Sequence, residues 1–112
     1  MGHEHAGQRY RTFYAALLRL YPIGWAYYLV GRYDDAIRAA ETGLSQSPSD
    51  YFLHAALAAS YAQSGRWKDA ERAAAETLRA WPFFEVDYFV AQFRSASDRA
   101  AIATGLRKAG LK

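Results

Sequence analysis

Residues 31–48 read GRYDDAIRAAETGLSQSP, and residues 65–82 read GRWKDAERAAAETLRAWP. The two strings superimpose without a gap at an offset of 34 residues. Gly31 pairs with Gly65, Arg32 with Arg66, Tyr33 with Trp67 and Asp35 with Asp69. Ala36 pairs with Ala70, Ala40 with Ala74, Leu44 with Leu78 and Pro48 with Pro82. A fixed period of roughly 20–50 residues marks a chain built from stacked supersecondary units, none of which buries its apolar face alone.

The chemistry of the repeated positions says what each unit is. Glycine takes the left-handed backbone that ends a helix at little cost, so Gly31 and Gly65 close a first helix. Asp34 and Asp69 fall in the first turn of a second helix, where a carboxylate complements the helix dipole. Ala36 and Ala70 are small enough for two helices to approach closely. Tyr27, Tyr33, Tyr61 and Trp67 are expected to fill the gaps between helices. Pro48 and Pro82 stop the second helix, and Ser49-Asp50 caps the helix that follows. Upstream of each glycine, Leu20, Ile23-Gly24 and Tyr27 match His54, Leu57-Ala58 and Tyr61.

This order, a large residue, Leu-Gly, Tyr, Ala-x3-aromatic and Pro at a period of 34, resembles the tetratricopeptide repeat (TPR). The resemblance implies an all-α fold, a right-handed TPR-like stack of helix hairpins (an α-solenoid). Two TPR units, 17–50 and 51–84, are expected, with an upstream helix and a C-terminal helical cap. Two positions depart from the pattern. Pro22 falls within the expected first helix, which then starts there or is kinked. His54 stands where Trp or Leu is usual, and is read as a packed core residue.

The flanks complete one domain, 8–112, behind a frayed tail at 1–7. Tyr10, Phe13, Tyr14, Leu17, Leu18 and Tyr21 form an apolar stripe at helical spacing. Val86, Phe89, Val90 and Phe93 predict a helix over 85–94. A Ser97 or Asp98 cap predicts another, carrying Ala101, Ile102, Leu106 and Ala109 and closing at Gly110. A third repeat copy has decayed: Arg99 stands at its glycine position and Thr104 at its small-residue position. Solenoids need an atypical terminal unit, and residues 85–110 read as one.

Composition narrows the function. The 112 residues are 52% hydrophobic and 22% charged, with no cysteine. Disulfide frameworks, thiolate metal sites and cysteine nucleophiles are thereby excluded. The longest charge-free stretch near the start, Leu20–Gly31, has 12 residues, too few to span a bilayer. A cytoplasmic protein is expected. The net charge of +3 is uneven: +2 over residues 1–20, −3 over 21–93 and +4 over 94–112. Arg94, Arg99, Arg107 and Lys108 suggest nucleic-acid contact only weakly, since a solvated helix face explains them.

No enzyme signature emerges. His3-Glu4-His5 lacks further nearby ligands, and no glycine-rich phosphate loop is present. Glu41 is expected to pair with Arg38, and Arg72 with Glu76, across single helix turns. No catalytic residue, metal or cofactor is expected. In a TPR stack the first helices line a concave face. Here that face carries Leu18, Tyr21, Trp25, Tyr28 and Leu29, then Phe52, Ala55, Ala59, Ala62 and Gln63. An aromatic shelf over an alanine floor suits a helix or extended peptide, unless the chain's own Tyr10–Leu20 helix covers it. A non-catalytic protein-binding module is expected, with homo-oligomerisation, most simply a dimer, as the alternative. The end of the chain, SDRAAIATGLRKAGL, also resembles the TPR tail of bacterial proteins carrying a class III adenylate cyclase or a DNA-binding regulator domain. That likeness implies a regulatory segment of a signalling assembly.

Overall fold

The computed structural model describes residues 23–112, apart from the side chain of Ile23. Six helices follow one another: α1 (Ile23–Leu29), α2 (Tyr33–Gln46), α3 (Tyr51–Gln63), α4 (Trp67–Ala80), α5 (Val86–Val90) and α6 (Ala96–Lys108). The described residues contain no strand. The fold is all-α, a TPR-like helical stack. Residues 1–22, with Pro22, Tyr21, the Tyr10–Leu20 stripe and His3-Glu4-His5, lie outside the described residues.

The two hairpins α1–α2 and α3–α4 turn through the same device. Gly31 has φ +79° and Gly65 φ +76°. In the first turn, Gly31 N–H donates to the Tyr28 carbonyl and Arg32 N–H to that of Tyr27. In the second, Gly65 N–H donates to Ala62 and Arg66 N–H to Tyr61. This paired closure is the Schellman motif, which satisfies the last carbonyls of a helix. The arginine that follows then serves two elements. Arg32 lies 5.0 Å over the Tyr27 ring and bonds Asp35 at 2.7 Å. Arg66 lies 4.6 Å over Tyr61 and bonds Asp69 at 2.9 Å. The repeat therefore encodes a Tyr–Arg–Asp clasp across each turn.

Alanines set the packing distance. Ala36, Ala40, Ala55, Ala56, Ala58 and Ala59 are fully buried. Helix α3 is buried all round because α1, α2, α4 and α6 all pack on it. Its start is capped by Asp50, whose carboxylate accepts from Phe52 N–H at 2.9 Å.

The C-terminal pair α5–α6 folds back instead of continuing the stack. Helix α6 packs on α3 and reaches α1. Its cap is Ser95, which accepts from Asp98 N–H, so the helix begins earlier than a Ser97 or Asp98 cap would allow. Arg99 donates to the carbonyls of Phe93 and Arg94, both at 2.7 Å. Gly110, at φ +100°, repeats the closing turn of the hairpins. Val86 N–H donates to the Lys112 carbonyl at 2.9 Å, tying the chain end to the start of α5.

Several local expectations are corrected. Helix α5 has five residues instead of the ten of 85–94, although Val86, Phe89, Val90 and Phe93 are buried as expected. Ala101 of α6 is exposed. Trp67 is 56% exposed. Its counterpart Tyr33 leans on the Tyr28 ring, 5.5 Å away, whereas the residue one repeat after Tyr28 is Ala62, which offers no ring. His54 is half-buried, with Nε2 2.8 Å from the Pro48 carbonyl. Arg38 pairs with Asp35, Glu41 accepts from the Tyr61 hydroxyl, and Glu76 pairs with Arg79. Arg72 turns to Asp69 at 3.7 Å.

Candidate functional site

The expected concave groove is filled from within. Trp25, Ala55 and Ala59 are 0% exposed, Ala62 2% and Tyr28 3%, while Leu29, Phe52 and Gln63 are half-buried. Trp25 meets Tyr28, Phe89 and Phe93 at ring separations of 5.2, 5.7 and 6.1 Å. Phe52 lies 5.1 Å from Phe89 and 6.3 Å from Phe93. So α5 and α6 cover this face of the described structure. The physical reason is the apolar load of the last residues. Phe89, Phe93, Ile102 and Leu106 are each at most 1% exposed, and burying one such side chain contributes about 1.5–3 kcal/mol. The aromatic shelf of the repeats is the surface that buries them. Trp25 therefore serves as core instead of an exposed contact, and its Nε1 has no hydrogen-bond partner among the described residues.

Polar groups fix the register of this seam. Tyr28 Oη donates to the Ala101 carbonyl at 2.6 Å and accepts from Gln63 Nε2 at 3.2 Å. Lys108 Nζ in turn donates to Gln63 Oε1 at 3.1 Å. Burial raises the Tyr28 phenol above its ordinary range, and the Gln63 hydrogen bond offsets part of that. Arg107 bridges to Asp87 at 2.7 Å. Of the basic residues weighed for nucleic-acid contact, Arg99, Arg107 and Lys108 thus hold the cap in place.

A cleft absent from the sequence reading opens beside the seam. Tyr51, Trp81, Tyr88, Phe89, Ala91 and Gln92 line a notch of about 410 Å³. Asp50 starts α3 and so presents Tyr51; Trp81 follows the last residue of α4; the short α5 presents Tyr88 and Phe89. The Trp81 ring lies 4.9 Å from Tyr51 at 56° and 6.1 Å from Tyr88 at 70°. Gln92 Nε2 donates to the Phe89 carbonyl, leaving Oε1 as an acceptor. Tyr88 is 72% exposed, and Phe83, two residues after Trp81 in the chain, is 83% exposed. The run Trp81-Pro-Phe-Phe84 was the signal, but it reads equally as core.

A second, smaller cleft of about 160 Å³ lies between α3 and α4, lined by His54, Tyr61, Asp69, Arg72 and Glu76 among others. Burial, helped by the Glu41 carboxylate, pushes the Tyr61 phenol up to about 12. A phenol in that range is a weak acid–base group near neutrality. Among the described residues no three His, Cys, Asp or Glu side chains gather around a metal position. No described helix is long and apolar enough to cross a membrane.

The tetratricopeptide repeat family model matches residues 27–92, more than half of the chain. The chain belongs to the tetratricopeptide repeat family. TPR units generally mediate protein–protein interaction and are typically non-catalytic. The match runs from the last residues of α1 through the whole of α5. No curated protein and no solved structure matches this TPR chain.

Proposed function

We propose that this chain is a non-catalytic protein–protein interaction module that holds a helix or an extended peptide. The observation that supports the reading is α6 itself. An aromatic and alanine face of two TPR hairpins receives a helix, here in cis, through Trp25, Tyr28, Phe52, Ala55, Ala59 and Gln63. With that face engaged, a partner segment docks on the aromatic notch beside it, where Tyr88 stands exposed; Phe83, also exposed, follows its Trp81 by two residues in the chain. Large exposed aromatics grouped at one place mark contact surfaces.

The test is site-specific photo-crosslinking in the cell that makes the protein. A benzophenone side chain is placed at Phe83, Tyr88 or, as a control, Arg38. Adducts with a second protein at Phe83 and Tyr88 but not at Arg38 are expected. No adduct at either aromatic position overturns the reading.

A second reading is homo-oligomerisation, as a regulatory segment of a bacterial signalling assembly. Trp67 and Leu78 of α4, 56% and 42% exposed, favour it. Light scattering at low and high salt separates the two. A salt-resistant dimer lost on Trp67→Ala and Leu78→Ala supports self-association, and a monomer removes it.

A further inference from the structure

The α5–α6 pair is tied to itself and to the α1–α3 face more than to the helix it follows. Val86 N–H donates to the Lys112 carbonyl at 2.9 Å, and Arg107 bridges to Asp87 at 2.7 Å. Residues 86–112 therefore close into one unit. Helix α6 packs on α3, α5 and α1, with little contact to α4. The contacts that set its register are made to a surface that any copy of the chain presents. Gly105 lies against Tyr28, the Ala101 carbonyl accepts from the Tyr28 hydroxyl, and Lys108 donates to Gln63.

The link 81–85 joins this unit to α4. Trp81 has φ −144° and ψ 95°, and Glu85 has φ −132° and ψ 135°, so both ends of the link are already extended. One backbone hydrogen bond inside it, from Phe84 N–H to the Trp81 carbonyl at 3.1 Å, bends the chain. The rings divide at that bend. Trp81 lies 4.9 Å from Tyr51 of α3, and Phe84 lies 5.1 Å from Phe89 of α5. The joint is thus Pro82-Phe83. Proline suits the second position of a bent turn, and its fixed φ equally suits an extended chain. Phe83 is 83% exposed, the most exposed large apolar side chain among the described residues.

We infer that two copies of the chain exchange their α5–α6 units about the Pro82-Phe83 joint, each unit seating on the α1–α3 face of the other copy. The inference rests on reading that face as the receiver of a helix. Exchange keeps each seam contact and changes only which chain supplies it, so swapping an identical element is a low-cost route to a dimer. Straightening the link breaks one backbone hydrogen bond. It also brings two links alongside each other, and Phe83 of each copy gains a partner that the closed monomer does not offer.

The experiment refolds the full chain from urea at high and at low concentration and sizes the products by light scattering after gel filtration. Concentrated refolding is expected to give a dimer that persists on dilution, because exchange back requires lifting the apolar unit off the face. The chain has no cysteine, so introduced thiols report the topology. Gln63→Cys and Lys108→Cys chains are mixed, refolded together and treated with a short bismaleimide. A crosslink from position 63 of one chain to position 108 of the other is expected in the dimer and not in the monomer. An unchanged circular dichroism spectrum shows that the variants fold. Phe83→Ser is expected to weaken the dimer about tenfold or more, since it removes a side chain that only the dimer buries, and to leave the melting temperature of the monomer unchanged. A monomer at every concentration overturns the inference. So does a dimer in which the double variant Gln63→Cys, Lys108→Cys crosslinks only within one chain, or one that Phe83→Ser leaves intact. A dimer lost on Trp67→Ala and Leu78→Ala also overturns it, because the contact is then α4. Failure of the interaction-module reading is separate: it is the absence of crosslinked adducts at Phe83 and Tyr88.

Discussion

Gly105 of α6 lies directly against the Tyr28 ring of α1, although 77 residues separate them. A Cβ built on Gly105 would overlap the Tyr28 hydroxyl and would stand 2.9 Å from Cζ and 3.0 Å from the Ala59 Cβ. The same hydroxyl is held by the Ala101 carbonyl one turn earlier. Glycine at 105 is therefore what lets α6 descend onto the α1–α3 face.

Gly105→Ala is expected to destabilise the chain by about 1–3 kcal/mol, the usual cost of overpacking a filled core. Urea denaturation measures it. Adding Tyr28→Phe removes the nearest atom, so the double variant should lose less than the sum of the single changes. Additivity within error would mean that the two residues do not meet.

Phe89 and Tyr88 are neighbours with opposite roles. Phe89 touches Trp25, Tyr51, Phe52, Phe84 and Phe93 and is 1% exposed. Phe89→Ala should cost about 3–5 kcal/mol. Tyr88→Ala should stay within about 0.5 kcal/mol, as exposed substitutions do. Paired thermal and urea melts check both values.

Gly31 and Gly65 test backbone strain free of steric contact. A Cβ at either meets no atom within 4 Å, and both lie at positive φ. Gly65→Ala should therefore cost about 1–2 kcal/mol through left-handed strain alone. A D-alanine placed there by chemical synthesis should remove that penalty.

Tyr61 supplies a pH signature. Its folded value of about 12 exceeds the ordinary 10.0, so folding favours the protonated phenol. The stabilisation is complete below pH 10 and is lost as pH rises from there through about 12. Phenolate absorbance should show late titration that falls by one tyrosine in Tyr61→Phe, leaving the contribution of Tyr28, which burial also raises. In Glu41→Gln, Tyr61 should titrate earlier, yet stay above 10.0, because burial is the larger cause.

Much of the fold was legible because it is local. The glycine turns, the Asp50 cap and the small residues at Ala36 and Ala70 act within a few positions, so each is written where it operates. The Tyr–Arg–Asp clasp was equally local, with Tyr27, Arg32 and Asp35 in one stretch. It escaped because its parts read first as gap filler and surface charge. Trp67 and His54 were misjudged because burial depends on the neighbour one repeat away, which the period alone does not describe.

The candidate site was legible only in its residues. Trp25, Phe52 and Ala59 do lie on the face that receives a helix, but the helix comes from the same chain. The notch of Tyr51, Trp81 and Tyr88 draws on three separate elements, so no single stretch announces it.

The sequence by itself determined two helix hairpins of the TPR kind and their turns, because a 34-residue period repeats the same short-range interactions. Only the tertiary structure decided where α5 and α6 go. Their apolar stripe would suit the open end of the stack or its concave face. What selects the face is the fit of Phe89 and Phe93 against Trp25 and of Gly105 against Tyr28. Those contacts join residues 64–77 positions apart, and they exist only once both hairpins have formed the surface.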